Sequence, residues 1–175
     1  MRRLIWSAAV AATIVVAAAC GGDGATTAPT TAASPTSAPD VVTTEGGFVI
    51  GGYEVISVDP AELGLTVPPD LEGATGYRYA KGPTEVAVGI QGLLPESVPP
   101  NDANLQRVLV EVSGGGTPHE VALGEQRGFQ VDGSGGLVYI GSLLEDGTVN
   151  VVRGTDKDAL VDMLAALNTA TSSAQ

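Results

Sequence analysis

From Phe48 onward, apolar residues fall into short β-branched runs that Gly, Pro and Asp punctuate at close intervals. Such punctuation predicts strands joined by turns. Phe48-Val49-Ile50 and residues 53–58 read as two strands split by Gly51-Gly52, which suits a bulge or a hairpin turn, and Asp59-Pro60 ends the run. Pro68-Pro69-Asp70 and Glu72-Gly73-Ala74 read as an irregular crossover. Three strands are expected next, at residues 77–80, 85–91 and 106–113, parted by Lys81-Gly82-Pro83-Thr84 and a Pro-rich loop over residues 95–101. In Val108-Leu109-Val110-Glu111-Val112 the alternation is imperfect, which suits a strand near the sheet centre. Residues 120–123, 128–131, 136–144 and 148–152 continue the meander. Asp146-Gly147 predicts a tight hairpin with a type I′ turn, and Asp132-Gly133 a looser one, widened by Gly135-Gly136.

The period changes near the C-terminus. Leu160, Met163, Leu164 and Leu167 fall at i, i+3, i+4 and i+7, one apolar face of a helix. Thr155 stands as its N-cap with Asp158 three residues on, a variant capping box, and Asp156 and Asp158 favour the positive end of the helix dipole. The helix is expected to fade at Asn168, leaving residues 169–175 as a frayed tail. Shorter helices are compatible with residues 60–65 and 101–106. These patterns predict an α+β fold, an antiparallel β-sheet with a C-terminal amphipathic helix packed on one face.

The N-terminal pattern is of another kind. Arg2 and Arg3 precede an apolar run over residues 4–19, broken only by Ser7 and Thr13. A charged start, an apolar middle and a small-residue boundary make an export signal over residues 1–19. About sixteen residues at 1.5 Å each give roughly 24 Å, short of the ~30 Å hydrocarbon core, which disfavours a permanent span. Val16-Ala17-Ala18-Ala19-Cys20 resembles the lipobox of bacterial lipoproteins, with Ala17 where that family usually carries Leu. The resemblance implies that Cys20 takes a diacylglyceryl group and becomes the first residue of the mature protein. The alternative is ordinary secretory cleavage after Ala17-Ala18-Ala19. Two acyl chains give a stable anchor where one gives a marginal one.

Residues 20–46 are rich in Gly, Ala, Thr, Ser and Pro, with Val41 and Val42 as the large apolar residues. Too little apolar surface is present to offset ordering entropy, so this segment reads as a disordered tether. As a flexible coil its ~25 residues reach roughly 28 Å. Its Thr, Ser and Pro positions also suit an O-glycosylated stalk. The same bias is common in the lipoproteins of high-GC actinobacteria, which the chain resembles in this respect. One folded domain is expected over residues 47–168, large enough for a single core.

Composition narrows the function further. The 175 residues carry 8 basic and 20 acidic side chains, a net charge of -12. Loss of Arg2 and Arg3 on processing leaves 6 basic and 20 acidic groups, a net of -14. That sign argues against nucleic acid as a partner and against attraction to anionic headgroups, so the anchor on Cys20 is the expected link to the membrane. A single Cys and the sole His119 give no thiolate or multi-histidine metal centre, and no cofactor motif is present. Gly133-Ser134-Gly135-Gly136 lacks the spacing of a nucleophile elbow. Gly114-Gly115-Gly116 does not lead into the Lys-Ser or Lys-Thr of a phosphate loop, and His119 reads as a solvated loop residue. Asp156, Asp158 and Asp162 invite a calcium reading, yet the first two have a capping role and no twelve-residue calcium loop surrounds them. Aromatic residues are few, which disfavours a sugar platform.

The expectation is therefore a monomeric, non-enzymatic lipoprotein on the extracytoplasmic face of the cell membrane, acting as a binding or interaction module toward an unidentified protein or apolar ligand. The alternative is a carrier that holds a lipid or other apolar molecule between sheet and helix, and a hydrolase built on an unrecognised acidic pair ranks below both. A carrier requires an apolar-lined cavity; an interaction module requires a packed core and an exposed apolar patch.

Overall fold

Paired glycines set an early hairpin. Gly51 and Gly52 adopt φ of 57° and 82°, a left-handed pair that residues with a Cβ resist, and the chain reverses between β2 (Gly47–Ile50) and β3 (Tyr53–Val58). This hairpin belongs to a computed structural model that describes residues 42–44 and 47–173; the expected signal segment, Cys20 and the expected tether up to residue 41 lie outside the described residues. A short β1 (Val42–Thr44) pairs with β2, so the sheet takes in three residues that composition assigned to the tether.

Beyond β3, a 3₁₀ turn at Pro60–Leu63 and an extended stretch lead into β4 (Glu72–Lys81), which forms a hairpin with β5 (Thr84–Leu93). β4 begins at Glu72, where sequence suggested irregular chain, and a break in register between Glu72 and Thr75 accounts for the irregularity. Helix α1 (Asp102–Ser113) follows, then β6 (His119–Leu123), β7 (Gln126–Asp132), β8 (Val138–Leu143), β9 (Thr148–Gly154) and α2 (Lys157–Ser173). The nine strands of the described residues join one antiparallel sheet in the order β1-β2-β3-β4-β5-β9-β8-β7-β6. Two meanders, β1–β5 and β6–β9, therefore meet where β5 pairs with β9, from Val88↔Arg153 to Leu93↔Thr148.

The fold is α+β, with the C-terminal helix across one face as expected; a second helix covers part of the other. Residues 106–113, expected as a strand, form the body of α1. Their β-branched content favours a strand, but Leu105, Val108, Leu109 and Val112 also fall at helical spacing, and all four are at most 3% exposed. Asn101 caps the start by accepting from the Asn104 N–H at 3.0 Å, and the Gly114 and Gly115 N–H groups close the end on the carbonyls of Glu111 and Val110. The helix stripe packs on Phe129, Val131, Tyr139, Val149 and Val151 of the sheet. At about 1.5–3 kcal/mol per buried side chain, these four residues contribute roughly 6–12 kcal/mol before ordering entropy is subtracted.

On the opposite face, Leu160, Met163, Leu164 and Leu167 of α2 pack against Ile50, Tyr53, Val55, Tyr79, Ile140 and Val152. Asp156, not Thr155, supplies the cap: its Oδ1 accepts from the N–H groups of Asp158 and Ala159. The helix also continues past Asn168 to Ser173. The β8–β9 hairpin lies where Asp146-Gly147 placed it, but Gly147 alone has positive φ, so the turn is not type I′. Its loop is closed by Gly147 N–H to Leu144 O at 3.1 Å and Leu144 N–H to Thr148 O at 2.9 Å. No helix among the described residues is long and apolar enough to cross a membrane.

Candidate functional site

Strand alternation places Phe48 and Ile50 of β2, Tyr53 and Val55 of β3, and Tyr77 and Tyr79 of β4 on the face that α2 covers. Four aromatic residues thus gather there, whereas Phe129 and Tyr139 belong to the core under α1. Phe48 and Tyr77 meet edge to face, with centroids 6.4 Å apart at 72°, and Tyr77 stands 6.3 Å from Tyr79. The C-terminal half of α2 does not fill the space above these rings. A hollow of about 160 Å³ remains, walled by Phe48, Val55, Tyr77 and Tyr79 from the sheet and by Leu167 and Thr171 from the helix, with Gln91 and Asn150 at its polar side.

Gln91 and Asn150 open a ladder of amides. Gln91 Nε2 donates to Asn150 Oδ1 at 2.8 Å, Asn150 Nδ2 donates to Asn168 Oδ1 at 3.4 Å, and Ser142 Oγ donates to the same Asn168 oxygen at 3.0 Å. Ser142, Asn150 and Asn168 are buried, and Asn168 Nδ2 has no hydrogen-bond partner among the described residues. Gln91 also lines a second hollow, of about 320 Å³, shared with Thr75, Leu93 and Thr148 and edged by Glu72 and Asp146. No residue of α2 lines that second hollow. The two hollows thus form a trough that runs from an aromatic end, past the Gln91 amide, to an acidic end.

Burial raises the Tyr79 phenol far above its ordinary range, with the neighbouring Tyr77 adding to the effect. Tyr77 is raised as well, chiefly by burial, against a smaller lowering by its hydrogen bond with Thr75. Both phenols are neutral donors at any physiological pH. The arginines are engaged elsewhere: Arg78 pairs with Glu85, Arg107 with Asp70 and Glu111, Arg127 with Asp102 and Glu120, and Arg153 donates to the carbonyls of Leu63 and Gly64, while Lys81 stands over the Tyr53 ring at 5.4 Å. Among the described residues, no Lys, Arg or His lines either hollow.

The residues that sequence singled out do not converge on this trough. Cys20 lies outside the described residues. Ser134 sits exposed in a 3₁₀ turn between β7 and β8. His119 opens the edge strand β6, exposed and paired with Gln130, rather than lying in a loop. Asp156 is committed to capping, and among the described residues no three His, Cys, Asp or Glu side chains gather as a metal site. Sequence reading missed Gln91, Asn150 and Asn168. The signal available was polarity out of place: Asn150 shares a sheet face with the buried Val152, and Asn168 follows the apolar helix stripe directly. No protein-family model matches the chain, and no curated protein and no solved structure matches it.

Proposed function

We propose that this chain is a non-enzymatic binding module, anchored through lipidated Cys20 to the extracytoplasmic face of the cell membrane, and that it binds in the trough between the sheet and α2. The observation that carries the reading is the hollow walled by Phe48, Tyr77 and Tyr79 and bordered by the Gln91–Asn150–Asn168 ladder. Aromatic walls with a few placed amides are the usual make-up of a small-molecule site. An apolar-lined space between sheet and helix favours ligand binding over protein docking. The large apolar residues exposed among the described residues are Ile56 and Leu93, which stand on opposite faces of the sheet and form no common patch. At about 160 Å³ the aromatic hollow is below the ~300–1,000 Å³ of drug-sized pockets. It therefore suits a ring-sized group and not a whole lipid.

Two measurements test this reading. Native mass spectrometry of the chain from Gly21 onward, purified from its own producer, is expected to show a co-purified small molecule; a bare mass in repeated preparations counts against the site. Radiolabelled fatty acid is expected to label the full chain and to be lost in Cys20→Ala. A labelled band that persists in that variant refutes the anchor.

A further inference from the structure

We infer that the trough selects a neutral or cationic small amphiphile, made of a phenyl-sized apolar group joined to an amide or amine head, and rejects the matching carboxylate. The inference rests on the binding reading above and adds the chemistry of the ligand.

Size comes first. A dry apolar cavity of ~150 Å³ takes up benzene, and the aromatic hollow here has about 160 Å³. Phe48 and Tyr77 already stand edge to face, so a ring seated between them and Leu167 extends an arrangement that aromatic quadrupoles favour.

The head group is set by what borders the ring. Gln91 lines both hollows, and its Nε2 is held by Asn150 Oδ1, which fixes the plane of the amide. Its Oε1 and second N–H make no hydrogen bond to a described residue, so one acceptor and one donor are left for a ligand. A primary amide on the ligand carries a partner for each; an ammonium satisfies the acceptor alone.

Charge then discriminates. Glu72 and Asp146 edge the outer hollow, and among the described residues no cationic side chain lines either one. A carboxylate or phosphate head placed beyond Gln91 meets two like charges in a chain that is acidic overall. An ammonium in the same place meets attraction. Fatty acids and anionic phospholipids are on this account poor ligands, although the bilayer is the nearest source of apolar molecules.

The test uses three probes with one ring and different heads: phenylacetamide, phenethylamine and phenylacetate. Each is titrated into isotope-labelled chain from Gly21 onward, which contains every described residue, while the Gln91 side-chain amide and the Tyr77 and Tyr79 ring resonances are followed. Fragments of this size bind in the high-micromolar to millimolar range, so titration extends to about 10 mM. Phenylacetamide and phenethylamine are expected to shift these resonances, with phenylacetate at least tenfold weaker than phenylacetamide. In the double variant Glu72→Gln and Asp146→Asn the gap is expected to close to less than about threefold. Asn keeps the oxygen that accepts from the Thr148 N–H, so the turn is preserved. Gln91→Leu is expected to weaken phenylacetamide about fivefold or more and to leave toluene unchanged. If Gln91→Leu fails to fold, the charge variants still decide the matter. Phenylacetate binding the parent within tenfold of phenylacetamide overturns the head-group selection and leaves the hollow as a site. Silence of all three probes at Gln91, Tyr77 and Tyr79 overturns both the selection and the binding reading.

Discussion

Asn168→Leu tests whether the amide ladder contributes to the fold or merely fills space. Asn168 is 1% exposed, and its Oδ1 accepts from Ser142 Oγ and from Asn150 Nδ2. Leucine has the same heavy-atom count and branching but no acceptor, so two buried donors lose their partner. Each stranded donor costs about 1–3 kcal/mol. The substitution also removes Asn168 Nδ2, which has no partner in the native fold, and this returns the equivalent of about one such penalty. The net is one stranded group, about 1–3 kcal/mol. For urea unfolding of the chain from Gly21 onward, with m of about 2 kcal/mol per molar, the midpoint should fall by about 0.5–1.5 M. Adding Ser142→Ala removes one of the stranded donors, so the double variant should be no less stable than Asn168→Leu alone. A parent-like midpoint for Asn168→Leu would refute the argument, because it would mean that water from the trough already serves these donors.

Other expectations follow from the same geometry. Leu164→Ala deletes a fully buried side chain between α2 and the sheet and should cost about 2–5 kcal/mol in the same urea assay; a loss under 1 kcal/mol would mean that α2 does not seal the core. Gly52→Ala meets no atom within 4 Å but forces a Cβ onto a φ of 82°, so a cost of about 1–2 kcal/mol is expected from backbone strain alone. Burial raises Tyr77 and Tyr79 above their ordinary value near 10, so the native state keeps protons that the unfolded chain releases. Stability should be full below pH ~10 and fall above it, and Tyr79→Phe should flatten that loss in urea titrations at high pH. The Arg107 hydrogen bond, aided by its charge, lowers the Asp70 carboxyl, so the stabilisation it gives is present above pH ~4 and lost as pH falls further; Asp70→Asn should remove this acid limb.

Strands and their turns were legible because Gly, Pro and Asp mark reversals that are local events. Gly51-Gly52 and the 143–149 hairpin lie where the residues place them, although the second turn took a different type because Asp146 stays at negative φ. Helix α1 was hidden by its own composition. Val108-Leu109-Val110 is good strand chemistry, and the Asn101 cap, the glycine stop and the apolar stripe outweigh it only when all three are counted together and a sheet face is there to receive the stripe. The trough was less legible still. Phe48, Tyr77, Gln91 and Leu167 are distant in sequence, and what unites them is strand order together with the length of α2, neither of which has a local code.

The meeting of the two meanders at β5 and β9 bears on how the chain is made. β5 ends at Leu93 and its partner begins at Thr148, so the central pairing waits until nearly the whole chain has emerged. Until then β5 and β8 each present an open edge rich in Val and Ile, the template from which chains join one another. Long-range closure of this kind is slow, so both edges stay open for longer than those of a locally paired sheet. The same closure makes the last strand indispensable: a chain that stops before Thr148 keeps both edges exposed and is expected to aggregate instead of forming a smaller domain.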